Sequence, residues 1–320
     1  MADERVMGKY VFILWAAAAA CGCLDLNLLD EVRAASGDGG EGTDSSSGGS
    51  GPPATDADDE SPPAVSAASC APAERALAQA CVAKGPASAS MRFVTDEPAR
   101  VAASAPNGTR AGVISAEWAT EPHVAVSGLA AGSKVEISIA VTDVNGNEAT
   151  LALEVEAAGG PAVVVTEVLA DPLGPEPAQE LVEIANVGGE PVDLGGWTLA
   201  DGAGGDAIPE GTVLGPRQVA LLVPEDYDPS AGQDPMPPAS ALLVRLAGSL
   251  GGNGLMNGEA EPVELRDGTG AVASAYRGEC GKPKPGLSAA RVLADLPEGD
   301  PMAWPAAPSS PTPGVAPMLP

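Results

Sequence analysis

Four carboxylates crowd into the stretch ELVEIANVGGEPVDLGGW, Glu180 to Trp197: Glu180, Glu183, Glu190 and Asp193. Paired carboxylates serve general acid–base catalysis when their environments split their pKa values and a cleft admits substrate. The same residue type also serves hard cations such as calcium. Here apolar and polar residues alternate, which is the period of a β-strand. On a strand, Leu181, Glu183 and Ala185 share one face, while Glu180, Val182, Ile184 and Asn186 share the other. Glu180 and Glu183 therefore point to opposite sides and cannot pair within the strand. The expectation is that both are scaffold, with Glu180 reaching water from the strand's rim.

Other chemistry is sparse. A Ser/His/Asp triad would have to use His123, the single histidine, and no G-x-S-x-G elbow supplies the serine. A satisfied turn or strand histidine is the expectation for TEPHVAVSGL. AGSKVE and GKPKPG lack the P-loop framework, and GDGGEG follows no strand. No Cys/His spacing fits zinc. DVNGNEATLALE sets Asp143, Asn145, Asn147 and Glu154 at positions one, three, five and twelve of a calcium loop. Position six of that loop must be glycine and is Glu148, so an Asn145-Gly146 hairpin is the better reading. Asn107-Gly108-Thr109 fits a glycosylation sequon, and an Asn-Gly turn explains it. The acidic loop PEDYDPSAGQD, Pro224 to Asp234, keeps a calcium-stabilised module open as an alternative. No cofactor and no metal site is expected.

The elements that hold these residues must be short. With 40 Gly and 32 Pro among 320 residues, long helices cannot account for much of the chain. A net charge of -28 argues against nucleic acid, whose phosphates demand a basic face. It argues equally against an acidic membrane surface unless a covalent anchor holds the chain there. The apolar run Val11 to Ala20 is too short to span a bilayer as a helix and reads as the core of an export signal. Ala18, Ala19 and Ala20 before Cys21 resemble a bacterial lipobox, with Ala18 standing where leucine is usual. That resemblance implies acylation of Cys21. Counted from Met7 the segment keeps Lys9 and loses Asp3 and Glu4, so Met7 is the expected start. Export favours disulfides, and Cys70 with Cys81 is the best local pair; the pairing of Cys23 and Cys280 stays open.

Four regions follow: a lipoprotein signal (1–21), a helical stub with a disordered acidic Gly/Ser/Pro linker (22–69), and two all-β modules (70–160 and 161–317). The stub is a helix from Asp25 to Ala35, and CAPAERALAQAC is expected to form a helical turn or two between its cysteines. FVTDEPARV and HVAVSGLAAGSKVEISIAVTDVNGNEA resemble the strands of a fibronectin type III or Ig-like module. VVVTEVLADP, QELVEIANVGGEPVDLGGWTLAD, LGPRQVALLV, LMNGEAEPVELRDGTGAVASAYRG and the ending GLSAARV…AWPAAPSSPTPG resemble, in order, the lamin tail domain, an Ig-like sandwich. The resemblance implies two β-sandwiches, scaffold roles for Glu180 and Glu183, and Trp197 as a core anchor beside Leu194 and Leu199. Trp118 is expected in the other core, and Trp304 in the terminal motif. It further implies no enzyme: a membrane-anchored envelope lipoprotein that binds an unknown envelope protein or polymer for adhesion, scaffolding or tethering. The alternative is an accessory subunit positioning a separate exported hydrolase, since bacterial lamin tail domains are often fused to nucleases or phosphatases.

Overall fold

The computed structural model describes residues 52–55, 58–106 and 108–320. Cys21, Cys23 and the segment Asp25–Ala35 lie outside the described residues. No helix among the described residues is long and apolar enough to cross a membrane. The fold is all-β.

The first sandwich runs from β1 (Val65–Ala67), β2 (Arg75–Ala76), β3 (Cys81–Lys84) and β4 (Ser88–Thr95) to β5 (Ala99–Ser104) and β6 (Arg110–Val113). It closes with β7 (His123–Ser127), β8 (Lys134–Asp143) and β9 (Glu148–Glu156). One sheet has the order β2-β3-β4-β7-β6, with β1 also on β4; the other is β5-β8-β9. Period-two alternation in β8 turns Ile137, Ile139 and Val141 onto Met91, Phe93, Leu151 and Leu153. Asn145 and Gly146 sit in the β8–β9 turn, where Gly146 has φ 92°, a conformation that glycine adopts without strain. Trp118 is only half-buried, with the Arg100 guanidinium 5.7 Å from its ring.

Two local expectations fail here. CAPAERALAQAC holds no helix: β2 and β3 pair antiparallel through Arg75–Val82 and Ala76–Cys81. Distance explains it. A helix would separate residues eleven apart by roughly 16 Å, whereas the Cα atoms of Cys70 and Cys81 are 5.3 Å apart and their sulfurs are bonded. The ordered sandwich also begins inside the span read as linker, since Val65–Ala67 pairs with Phe93–Thr95.

The second sandwich opens with β10 (Val163–Leu169), β11 (Leu181–Asn186), β12 (Val192–Asp193), β13 (Thr198–Ala200) and β14 (Gly205–Ala207). It continues through β15 (Val213–Leu214), β16 (Val219–Val223), β17 (Leu242–Arg245), β18 (Val263–Arg266), β19 (Val272–Tyr276) and β20 (Ala289–Ala290). A five-stranded sheet, β17-β16-β11-β10-β20, faces a four-stranded sheet, β14-β13-β18-β19. Between them lie Val165, Val182, Ile184, Leu194, Trp197, Leu199, Leu222 and Leu265. The outer face of the five-stranded sheet is covered too. Leu169, Leu181 and Leu221 pack there with Tyr227, and Val164, Ala185 and Val187 pack with Ala294 and Met318. Every residue of β10 and β11 is consequently buried.

The C-terminal chain supplies much of that cover, and it also joins the two sandwiches. In β7, Val124 and Val126 point into the first core, while Ala125 joins Ile114 in the core of the second sandwich. A Cβ placed on Gly85 would fall 3.5 Å from the Pro297 Cα, and one on Gly299 would fall 3.0 Å from the Ala73 Cβ. The sandwiches therefore share a packed junction rather than a flexible link.

Candidate functional site

The carboxylates that opened the sequence question are not on a wet face. Glu180 is 2% exposed and Glu183 1% exposed, so the expectation of a solvated rim for Glu180 is overturned. The cause is distant chain laid over both positions. Leu255 donates its backbone N–H to Glu180 Oε2 at 2.8 Å. Gly314 donates to Glu183 Oε2 at 2.6 Å, and Thr166 Oγ1 donates to Oε1 at 2.6 Å. The two side chains do leave opposite faces of β11, as the alternation required.

Glu183 nevertheless has a carboxylate opposite it, on the next strand. A bulge between Val165 and Glu167 sets Glu167 directly across from Glu183 on the outer face. Glu167 is 1% exposed. Its Oε1 accepts from Ser288 Oγ and, at 2.9 Å, from the Thr312 N–H; its Oε2 is buried without a hydrogen-bond partner. Burial pushes the Glu183 carboxyl up to about 7, against the bond from Thr166 and with the charge of Glu167 adding to the rise. Burial raises Glu167 as well, against its bonds from Ser288 and Thr312.

A second set of acids explains the Gly-rich run LAGSLGGNGLMNGEAE. The run folds into a turn at Leu250–Gly252 and carries backbone N–H groups onto carboxylates. Gly251 donates to Asp206 at 2.7 Å, Leu255 to Glu180, and Met256 to Glu261 at 2.9 Å. A Cβ on Gly251 would fall 1.7 Å from Asp201 Oδ2, and its φ is 62°, so only glycine fits. Burial pushes Glu180 up to about 8 against the Leu255 bond, with Glu176, Glu261 and Asp201 contributing repulsion.

The remaining candidates fall in ordinary structural places. His123 is buried at the start of β7, where Nε2 lies 2.8 Å from Asp300 Oδ2 and Nδ1 lies 3.3 Å from Met302 Sδ. Burial works against ionisation of Asp300, but the bond to His123, the His123 charge and the bond from the Met302 N–H, combined with the other lowering contacts, outweigh it and hold the carboxyl below its ordinary value. Two groups of residues among those described could geometrically hold a metal, Asp59–Glu97–Asp143 and Cys70–Glu74–Cys81. The second contains the disulfide. In the first, Asp143 is occupied by Asn145 and Asn147 N–H groups and by the Asn147 side chain, which fix the hairpin. In the loop Pro224–Asp234, Arg245 donates to the carbonyls of Glu225 and Tyr227, Asp228 accepts from Ser230 and Asp234 accepts from the Leu173 N–H. Cys280 is free and buried. Trp197 is 6% exposed beside Leu194 and Leu199.

Glu167, Glu180 and Glu183 thus each accept at least one N–H or O–H group of the chain itself and sit under cover. Comparison with known families bears on this same region. Residues 156–278 match the family model of the Lamin Tail Domain. That span includes Glu167, Glu180, Glu183 and Trp197 and ends just after β19. The lamin tail module is an Ig-like sandwich of a generally non-catalytic kind, suited to binding or scaffolding. No curated protein and no solved structure matches the chain. Residues 279–320, which carry Asp300, Thr312 and Gly314, lie beyond the matched span.

Proposed function

We propose that the chain is an envelope lipoprotein, anchored by acylation of Cys21, whose spacer presents a tandem of β-sandwiches for adhesion, scaffolding or tethering, with no reaction of its own. The first sandwich is the fibronectin type III or Ig-like module and the second the lamin tail module. One observation carries the non-catalytic reading. Glu180, Glu183 and Glu167 are each buried and each engaged by internal donors, so none of the three stands in an open cleft where substrate could reach it. The shared junction supports a presenting role, because a tandem without a free hinge holds its outer surfaces in fixed relation. The anchor rests on Val11 to Ala20 and on Ala18-Ala19-Ala20 before Cys21.

Mass spectrometry of the mature N-terminus from cell membranes tests the anchor: a diacyl- or triacyl-cysteine at Cys21 is expected, and an unmodified terminus overturns it. Affinity capture with the full chain from envelope extract tests the role. Recovery of a structural envelope protein or polymer supports it. Stoichiometric recovery of an exported hydrolase would replace it with the accessory-subunit reading.

A further inference from the structure

Strand β9, Glu148–Glu156, lies at the edge of its sheet and pairs only with β8 among the described residues. At nine residues it is the longest edge strand described, and its register with β8 runs unbroken from Lys134–Glu156 to Thr142–Glu148. Two hydrogen bonds frame that ladder: Asp143 N–H to the Asn147 carbonyl at one end, Ala157 N–H to the Ser133 carbonyl at the other. Both belong to one antiparallel series. The residues Ala149, Leu151, Leu153 and Val155 therefore bond to β8, and the even-numbered residues between them turn N–H and C=O away from it. Ala158 continues the even series, and its N–H reaches the Gly85 carbonyl at 2.8 Å. From Glu148 to Glu156 the outward groups meet no protein partner among the described residues. Other edges are blunted: β2 and β20 have two residues each, and in β19 the Ala275 N–H is taken by Glu298 Oε1 at 2.7 Å. β9 has no proline, lysine, glycine or bulge to guard it.

The side chains define what fits there. The even positions put Glu148, Thr150, Ala152, Glu154 and Glu156 on the outer face, with Glu136 of β8 directly across from Glu154. Lys134 bridges Glu154 and Lys84 bridges Glu156, whereas Glu148 and Glu136 have no cation among the described residues. The row is acidic. A second copy of the chain is a poor occupant, because β9 holds no Lys or Arg and each copy carries a net charge of -28. On the other parity Leu151, Leu153 and Val155 face the core. Beside Val155 a shallow groove lined by Leu77 and Val82 runs between β9 and the β2–β3 edge. We propose that β9 is a docking edge for an extended segment of another protein, added antiparallel as a further strand. That segment carries Lys or Arg at alternate positions opposite Glu148 and Glu154, with apolar residues between them turned toward the groove. Backbone hydrogen bonds hold it, and the two side-chain rows select it. The inference rests on the presenting role proposed above, to which it gives a surface.

A fluorescent peptide of β9's length, alternating Lys and Val, tests it against the full chain at physiological salt. Anisotropy should show saturable binding. Exchange read residue by residue by NMR should slow at least tenfold at the Thr150, Ala152 and Glu154 amides and stay unchanged at Leu151 and Leu153. A Glu/Val peptide should not bind. N-methylation of every lysine removes the donors that face the edge and keeps the charge, so it should weaken binding at least tenfold. Ala152→Pro removes an outward N–H without touching the β8 ladder and should do the same. If that variant fails to fold, Glu148→Lys with Glu154→Lys, which changes exposed side chains only, should lose the peptide to a similar degree. Equal binding of the N-methylated peptide means general attraction to an acidic chain and overturns the proposal. So do an absence of binding, protection away from β9, or sedimentation showing a dimer whose β9 amides are already protected. Chain and probe are both defined, so failure here is distinct from failure of the presenting role, which envelope capture decides.

Discussion

Glu180→Gln should stabilise the protein at alkaline pH and barely change it in acid. The carboxyl is pushed from its ordinary 4.5 up to about 8 by burial. A raised folded pKa means that the native state holds its proton more tightly than the unfolded chain. Stability is then fullest below about 4.5 and falls as pH climbs to about 8. The shift of roughly 3.5 units, at 1.36 kcal/mol each, corresponds to about 5 kcal/mol lost across that window. This is an upper bound, because relaxation and water penetration generally relieve part of the penalty of burying a charge. Even half of it is a large share of an ordinary 5–15 kcal/mol. Glutamine keeps the acceptor for the Leu255 N–H and cannot ionise, so the variant should escape the loss. Urea unfolding of the full chain at pH 5, 7 and 8.5, with linear extrapolation, measures it. The gap between variant and wild type should open with pH by about 2–5 kcal/mol. Parallel stability curves, or a wild type that gains stability from pH 5 to 8.5 while the variant does not, would refute the reasoning. Groups with lowered values such as Asp300 and Glu74 act below this window and cancel from the comparison.

Trp197→Ala should cost about 3–5 kcal/mol in the same urea assay through lost burial and a cavity beside Leu194 and Leu199; a cost below 1 kcal/mol would remove Trp197 from the core. Replacing Cys70 and Cys81 together by serine should destabilise the first sandwich by about 3 kcal/mol, the chain-entropy value for so short a loop, and non-reducing peptide mapping of the purified protein should find the two cysteines linked. His123→Ala strands Asp300 at the junction and should cost about 3 kcal/mol, whereas His123→Ala with Asp300→Asn should cost less than the sum, which a double-mutant cycle reads directly. Because the Asp300 carboxyl is lowered, its contribution is present above its ordinary value near 3.8 and is lost as pH falls through the folded value. Acid unfolding of Asp300→Asn should accordingly be less steep than that of wild type.

Much of the fold was legible because the strand period is written locally. The alternation in Lys134–Asp143, the Asn-Gly turn after it, and the ordered pieces from Val163 to Tyr276 are all short-range patterns, and the sandwiches follow from them. The opposite facing of Glu180 and Glu183 is equally local. The cover over them is not: Glu180 meets Leu255, 75 residues away, Glu183 meets Gly314, 131 away, and His123 meets Asp300, 177 away. Periodicity carries no information on such distances. The strand pairing between Cys70 and Cys81 escaped the sequence reading for the opposite reason: an Ala-rich stretch favours helix locally, and the bond between the two cysteines, which the sequence did suggest, overrides that preference.

One signal for the buried acids was present nonetheless. In VVVTEVLA and LVEIANV apolar residues occupy both parities, Val164 with Val165 and Leu181 with Val182. A strand with one wet face would show apolar residues on alternate positions only, whereas a strand dry on both sides runs nearly continuous. Polar residues inside such a run, Thr166, Glu167, Glu183 and Asn186, must then find partners within the protein. They do: Thr166 on Glu183, Glu167 on Ser288 and Thr312, and Asn186 on the carbonyls of Glu190 and Leu214. Acids placed in a dry run without cations nearby have two outcomes, a proton or a donor from elsewhere in the chain. In this protein the donors come from a segment beyond the lamin tail match. The cost of burying Glu167 and Glu183 therefore makes sense only with residues 309–316 in place, and truncation before Ser309 should unfold β10 and β11 more readily at pH 8 than at pH 5.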